Sequence, residues 1–398
     1  MKRLLLPIFI CLSLFSATAS NRLEVSVLTC SPGEQVYELF GHTALRVSNK
    51  QTGMDVVFNY GLFSFDEPNF IWRFVLGETD YLLGATAYQY FISEYAMRGS
   101  GVTEQVLNMD SLQAQQLFDN LRINSLLENR KYRYNFLFNN CTTKARDKIF
   151  DVFCTDSNGG ASQKIVYPVA SVGDTLSFRD IIHSFTIGYP WYRFGMDLLL
   201  GAPADEIAQR DGAQFAPIIF KEELSGAMVE SPLNSNFPLV KEQHELLVPE
   251  QKTIEINNLT PFNVSLLLLL FTLIVMLCEK RSKKSYWLWD LLLFGVQGVA
   301  GSILTFMVLF SQHPAVDVNW LLIWLNPLPI FLVIIYIYRL KKGVSKNVLW
   351  VEVTMIILFL LLSPFLPQYF PAPLYPCAIA LLARSLFNIY KEKICALS

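Results

Sequence analysis

Of the 398 residues, 52% are hydrophobic and only 17% charged, against about 25% charged in an average soluble chain. With 7 cysteines and a formal net charge of −2, this composition excludes a disordered chain, a nucleic-acid binder and a small disulfide scaffold. Residues 261–398 hold 11 Lys and Arg against 5 Asp and Glu, a net of +6, which leaves the first 260 residues at −8. An acidic soluble part joined to a membrane part is expected.

The chain starts with Lys2 and Arg3, then an apolar run from Leu4 to Phe15, then Ala17-Thr18-Ala19. A basic start, a short apolar stretch and an A-x-A site mark residues 1–19 as a signal peptide cut near Ala19. The run is shorter than the ~20 residues that a membrane span needs. Cys11 lies inside it with no small-residue lipobox around it.

Residues 20–260 are predicted to form one extracytoplasmic α+β domain. Short strands are expected at Leu23–Leu28, Thr43–Ser48 and Asp55–Tyr60, the last after a turn containing Gly53. From Asp110 to Arg130, Leu112, Leu117, Leu121 and Leu127 recur near helical spacing, with Asp110 or Ser111 as cap. Lys131–Phe138 alternates polar and aromatic residues and reads as a strand leading into Asn139-Asn140-Cys141. Residues 155–175 and 221–260 are rich in Ser, Gly, Pro and Asn and read as irregular, the second leading to the membrane. No internal repeat and no metal-ligand cluster is visible, so neither a metal nor another cofactor is expected.

After Pro261, apolar runs occupy about 262–278, 286–310, 320–338, 348–365 and 374–390. They predict an all-α bundle of about five transmembrane helices over 261–398. The connection Glu279–Lys284 sums to +3 and Arg339–Lys346 to +4, whereas Ser311–Asn319 and 366–373 have no Lys or Arg. The positive-inside rule then sets the C-terminal tail inside and the front domain outside, in agreement with the signal peptide. Asp290, Glu352 and Arg384 fall in the apolar runs towards their inner ends, where snorkelling or a Glu352–Arg384 pair accounts for them. The outer connection Ser311–Trp320 carries His313, Asp317 and Asn319, with Asn326 a little deeper. Helix capping beside an aromatic belt from Trp320 and Trp324 is one reading, and contact with a lipid headgroup or other substrate is the other.

The four histidines are His42, His183, His244 and His313; Cys30, Cys141 and Cys154 lie in the mature front domain. Cys141 stands at the start of a predicted helix whose apolar stripe continues through Ala145, Ile149, Val152 and Phe153. A helix N-terminus favours the thiolate. Its N–H groups, with the Asn140 amide, can hold an oxyanion during acyl transfer. A buried structural thiol or half of a disulfide is the alternative, and Cys30 and Cys154 can bridge if their distance allows. Cys278, Cys377 and Cys395 lie in or near the membrane.

A catalytic thiol needs a base. His42 opens the predicted strand after Gly41, with Ala44 and Arg46 on its face. His183, in a similar apolar setting, is the rival base, and His244 among Glu242, Gln243 and Glu245 reads as solvated. If 49–53 turn a hairpin with Ser48 opposite Met54, His42 faces Tyr60, with Asn59 one residue away. Either can orient the imidazole.

His42 precedes Cys141 by 99 residues, the reverse of the papain order. Ser31-Pro32-Gly33, Phe40–Arg46, Phe58-Asn59-Tyr60-Gly61 and Asn140-Cys141-Thr142-Thr143 together resemble the Lnb family of bacterial lipoprotein N-acyltransferases. Phe194–Gly201 with Asp205, Gln312-His313-Pro314, Asn319-Trp320 and Asn326-Pro327 extend the resemblance over nearly the whole chain. The His-first layout is also similar to the permuted NlpC/P60-like, papain-like thiol enzymes, including lecithin:retinol-type acyltransferases. The resemblance implies a bacterial inner-membrane enzyme with a periplasmic N-terminal domain and a cytoplasmic C-terminus. Its partners would be the membrane, a phospholipid acyl donor and a diacylated apolipoprotein acceptor. Cys141 would take the acyl chain as a thioester, and His42 would move the protons. A cysteine hydrolase acting on phospholipid esters or cell-wall peptides, and a non-enzymatic receptor with an inert Cys141, are the other two readings.

Overall fold

A computed structural model of the chain describes residues 23–154, 163–167, 169–231, 235–250, 259–342 and 348–397, with side chains to Lys391. The predicted signal peptide, Cys11 and the Cys395 side chain lie outside the described residues. From Glu24 the chain runs β1 (Glu24–Cys30), β2 (His42–Asn49), β3 (Met54–Leu62), α1 (Phe70–Val75), β4 (Asp80–Ala87), α2 (Tyr88–Met97) and β5 (Val102–Leu107). It continues through α3 (Ser111–Asn124), β6 (Lys131–Arg133), α4 (Cys141–Cys154) and β7 (Lys164–Val166). Four helices follow: α5 (Phe178–Phe185), α6 (Pro190–Leu199), α7 (Gln209–Ala213) and α8 (Pro217–Gly226). Then come β8 (Met228–Glu230), β9 (Phe237–Pro238) and β10 (Val240–Leu247).

Seven strands make one sheet in the order β10-β5-β1-β2-β3-β4-β6, with antiparallel neighbours throughout. Strand side chains alternate between faces, and both faces of the central strands are covered. Val27, Leu45 and Phe58 point to the main core with Leu117 of α3 and Ile149 of α4. Leu28, Ala44 and Val57 point the other way, against Phe91 and Tyr95 of α2. The small Ala44 thus admits α2, while α4 packs on the opposite face.

Three local readings are corrected. The hairpin pairs Asn49, not Ser48, with Met54. Asn49 Oδ1 accepts from the N–H groups of Gln51 and Thr52, which holds a four-residue loop. A one-residue slip reverses which side chains share a face, so Asn59 rather than Tyr60 lies on the His42 side. The helix from Ser111 ends at Asn124, well short of Arg130; Asp110 caps it through Leu112 and Gln113. The stretch expected to be irregular before the membrane contains β10, which pairs with β5 at the sheet edge. Its sequence Lys-Glu-Gln-His-Glu is polar at successive positions because an edge strand faces solvent, so the apolar alternation of a half-buried strand is missing.

Among the described residues, five α-helices follow from residue 261: α9 (Pro261–Ser282), α10 (Trp287–Phe310), α11 (Leu328–Lys342), α12 (Leu349–Leu362) and α13 (Leu374–Leu397). Among the described residues, three segments are long and apolar enough to cross a membrane: Pro261–Ser282, Trp287–Phe310 and Trp320–Lys342. The α12 helix has 14 residues. Arg384 does not pair with Glu352. It donates to Asp290 at 2.6 and 3.0 Å and to Glu279, and Lys391 also bonds Glu279. Glu352 accepts instead from Gln297 at 2.6 Å. Charge in an apolar bundle is tolerated when it is paired, and this knot joins α9, α10 and α13.

The two parts are fastened along the segments 194–205 and 311–319. The Gly201 N–H donates to Ala315 O at 2.7 Å and the Gln312 N–H to Leu76 O at 2.8 Å. Behind this junction Arg179 is buried, bonding Asp197 at 2.9 Å, Asp205 at 2.8 Å and the Leu200 and Gly201 carbonyls.

Candidate active site

The Asn140–Thr143 motif builds the end of α4. Asn140 Oδ1 accepts from the N–H groups of Thr142 and Thr143, at 2.9 and 3.0 Å, and the Thr143 hydroxyl accepts from the Asn140 N–H at 2.9 Å. Such a cap is worth about 1 kcal/mol. Asn140 Nδ2 donates to the carbonyls of Phe136 and Phe215, both at 2.9 Å. Both amide protons are therefore spent, and the expectation that Asn140 helps hold an oxyanion is corrected: it positions Cys141. The Thr142 hydroxyl meets the Thr43 hydroxyl at 3.1 Å and pins α4 to β2.

On the strand side, Gly41 sits at φ +79°, and a Cβ there would lie 2.5 Å from Cys30 O. Only glycine permits that turn, and the next residue is His42. The His42 ring donates from Nε2 to Asn59 Oδ1 at 2.5 Å. The ring lies beside the Cys141 thiol, near enough for each to shift the charge state of the other. With Nε2 engaged by Asn59, Nδ1 is the ring nitrogen left over. Gly61, at φ +96°, closes the row: a Cβ there would be 3.7 Å from Cys141 Cβ and 3.8 Å from His42 Cε1.

Burial alone would raise the Cys141 pKa. The His42 charge and hydrogen bond, the Thr43 N–H and the Thr142 hydroxyl outweigh it and bring the thiol down from 9.0 to about 7. Burial alone would lower the His42 pKa, but the charge and hydrogen bond of Cys141 and the bond to Asn59 raise it. Each partner favours the charged form of the other. Alkylation of Cys141 by iodoacetamide, followed on its own peptide by mass spectrometry, should therefore rise with pH through an inflection near 7, because the thiolate reacts. In a His42→Ala chain the inflection should move up to the ordinary thiol value or beyond.

Tyr60 is buried on the other side of the strand, where its hydroxyl donates to Asn124 at 2.7 Å; it does not touch the ring. The rival base His183 has both nitrogens occupied, one by Asp197 at 2.8 Å and one by Arg193 at 2.7 Å. His244 is exposed beside Glu242. Cys30 is buried on β1, and Cys154 is exposed at the far end of α4.

His313, Asn319 and Asn326 each bond other parts of the chain. His313 donates to Phe74 O at 2.6 Å. Asn319 donates to Leu198 O at 3.0 Å and caps Leu321. Asn326 donates to Leu322 O and accepts from the Leu328 N–H. Sequence reasoning gave no role to Thr43, whose N–H faces the sulfur, or to Gly61; both lie inside the motifs quoted above. Among the described residues, no group of three His, Cys, Asp or Glu side chains converges as metal ligands.

Family models match both parts of the chain. The Lnb N-terminal periplasmic domain matches residues 14–157 and the Lnb transmembrane domain matches residues 251–394. No curated protein and no solved structure matches the chain.

Proposed function

The chain belongs to the Lnb family, and from that premise we propose that it is an inner-membrane lipoprotein N-acyltransferase working through Cys141 and His42. The observation that carries this reading is the row Cys141–His42–Asn59 at the end of β2 and the start of α4. A thiol whose pKa is brought down towards neutral pH and a base fixed by a third side chain are what nucleophilic acyl transfer requires.

In the first step the Cys141 thiolate attacks an ester carbonyl of a glycerophospholipid. The carbonyl–oxygen single bond breaks, and the His42 imidazolium gives its proton to the departing lysophospholipid oxygen. In the second step His42 takes a proton from the incoming α-amine of a diacylated lipoprotein. That nitrogen attacks the thioester, an amide forms and the Cys141 thiolate leaves. Two moderate barriers replace one high one. Thr142 and Thr143 N–H groups are committed to Asn140, so the Cys141 N–H at the head of α4 is the donor available to the oxyanion.

In this reading residues 1–19 are an export signal, the N-terminal domain is a permuted NlpC/P60-like thiol domain, and α9–α13 all cross the membrane with the C-terminus cytoplasmic. Tethering holds the site where both lipid substrates lie and raises their effective concentration. Mass spectrometry of lipoprotein N-termini tests it. Membranes with the unaltered chain should yield N-acylated, triacylated products, and membranes with Cys141→Ser should yield the diacylated form. Turnover of phospholipid with no amine acceptor, at the rate seen with one, would favour a lipase instead.

A further inference from the structure

Resting on the acyl-transfer reading, we propose that residues 62–75 form an interfacial lip, which enters the outer leaflet and presents glycerophospholipid acyl chains to Cys141. The segment begins beside the site: β3 passes Gly61, in contact range of Cys141 and His42, and continues as Leu62-Phe63-Ser64-Phe65. An unbroken aromatic ladder then runs outward. Phe63 stacks on Phe70 at 5.6 Å and touches Phe65 at 5.0 Å; Phe70 follows to Phe74 at 6.3 Å, and Phe74 to His313 at 5.3 Å.

The outer side of this ladder is apolar and uncovered. Phe65 is 63% exposed, Ile71 76% and Trp72 57%. Contiguous exposed apolar surface of this kind marks an interaction site. Among the segment's charged residues, Arg73 turns inward to Glu67 and Asp80 at 3.2 and 3.0 Å and to Glu78 O, and Asp66 stays exposed.

The level of the lip identifies what covers it. Trp72 packs on Phe306 at 5.1 Å. Phe306 is one turn, about 6 Å, inside the end of α10, a helix long and apolar enough to cross a membrane. Ser311 and Gln312, just beyond that end, bond Val75 O and Leu76 O. The α1 helix is therefore clamped at the bilayer boundary, and Leu309 and Phe310 beside it face outward. Aromatic and aliphatic side chains at that depth meet lipid.

The test uses the full chain in vesicles of phosphatidylethanolamine and phosphatidylglycerol. Cys141 acylation is measured from the vesicle lipid and from water-soluble p-nitrophenyl butyrate. In Phe65→Asp and Ile71→Asp chains the ratio of vesicle-lipid to soluble-ester acylation should fall about tenfold or more, since each removes a large apolar side chain from lipid. Brominated phospholipids should quench less of the tryptophan emission in Trp72→Phe than in the unaltered chain. An unchanged ratio together with unchanged quenching overturns the lip, as do cross-links between copies through this face with no bromolipid quenching. Should the unaltered chain take an acyl group from neither donor, the thioester reading fails, and the quenching still decides where residues 62–75 lie.

Discussion

Replacing His42 by Ala should lower lipoprotein N-acylation by about 10²–10⁴-fold, the range expected when a positioned general acid–base is lost. Replacing Cys141 by Ser should cost more, on the order of 10⁴-fold or beyond. The double replacement should be no worse than Cys141→Ser alone, because residues that act as one unit are strongly non-additive. The physical basis is mutual: the His42 cation lowers the thiol, and the thiolate raises the imidazole. A radiolabelled-acyl transfer assay in membranes, with protein levels matched by immunoblot, measures all three chains. Additive losses would mean that the two side chains act separately.

The second large effect concerns stability. Arg179 is buried and holds Asp197, also buried, together with Asp205 and two carbonyls at the junction with the membrane helices. Arg179→Met leaves buried carboxylate without its main partner, a change that costs about 3–5 kcal/mol. For a domain of this size that corresponds to a fall in Tm of roughly 10 °C. Adding Asp197→Asn should recover part of the loss, because a neutral amide needs no buried counter-charge. Thermal unfolding of the detergent-solubilised chain reads both. A shift within 2 °C for Arg179→Met, that is well below roughly 10 °C, would show that the cluster contributes little.

The local settings of Cys141 and His42 are legible in the sequence, and less of what surrounds them is. Cys141 was legible because an Asn-Cys-Thr-Thr run before an apolar stripe marks a helix start. His42 was legible because a strand pattern opens on it directly after a glycine. The choice between Asn59 and Tyr60 was not, because it turns on a one-residue register set by the Asn49 side chain in the hairpin loop. Asn140 was misjudged for a different reason. One of its two proton acceptors is Phe215 O, 75 residues away in the chain, and no local pattern reports such a contact. The Arg384 pairing was misjudged likewise, since Glu279 and Asp290 approach it only when α9, α10 and α13 pack. β10 was missed because an exposed edge strand has no apolar alternation to read. The motif Phe194–Gly201 with Asp205 stood out in the sequence with no role; it is the seam between the two parts.

The most direct measurement is the intact mass of the purified full chain after incubation with phospholipid and no lipoprotein. A single added acyl chain, mapped to the peptide carrying Cys141 and removed by neutral hydroxylamine, is the expected result. An unmodified Cys141, with the acyl chain absent or attached to another residue, would contradict it.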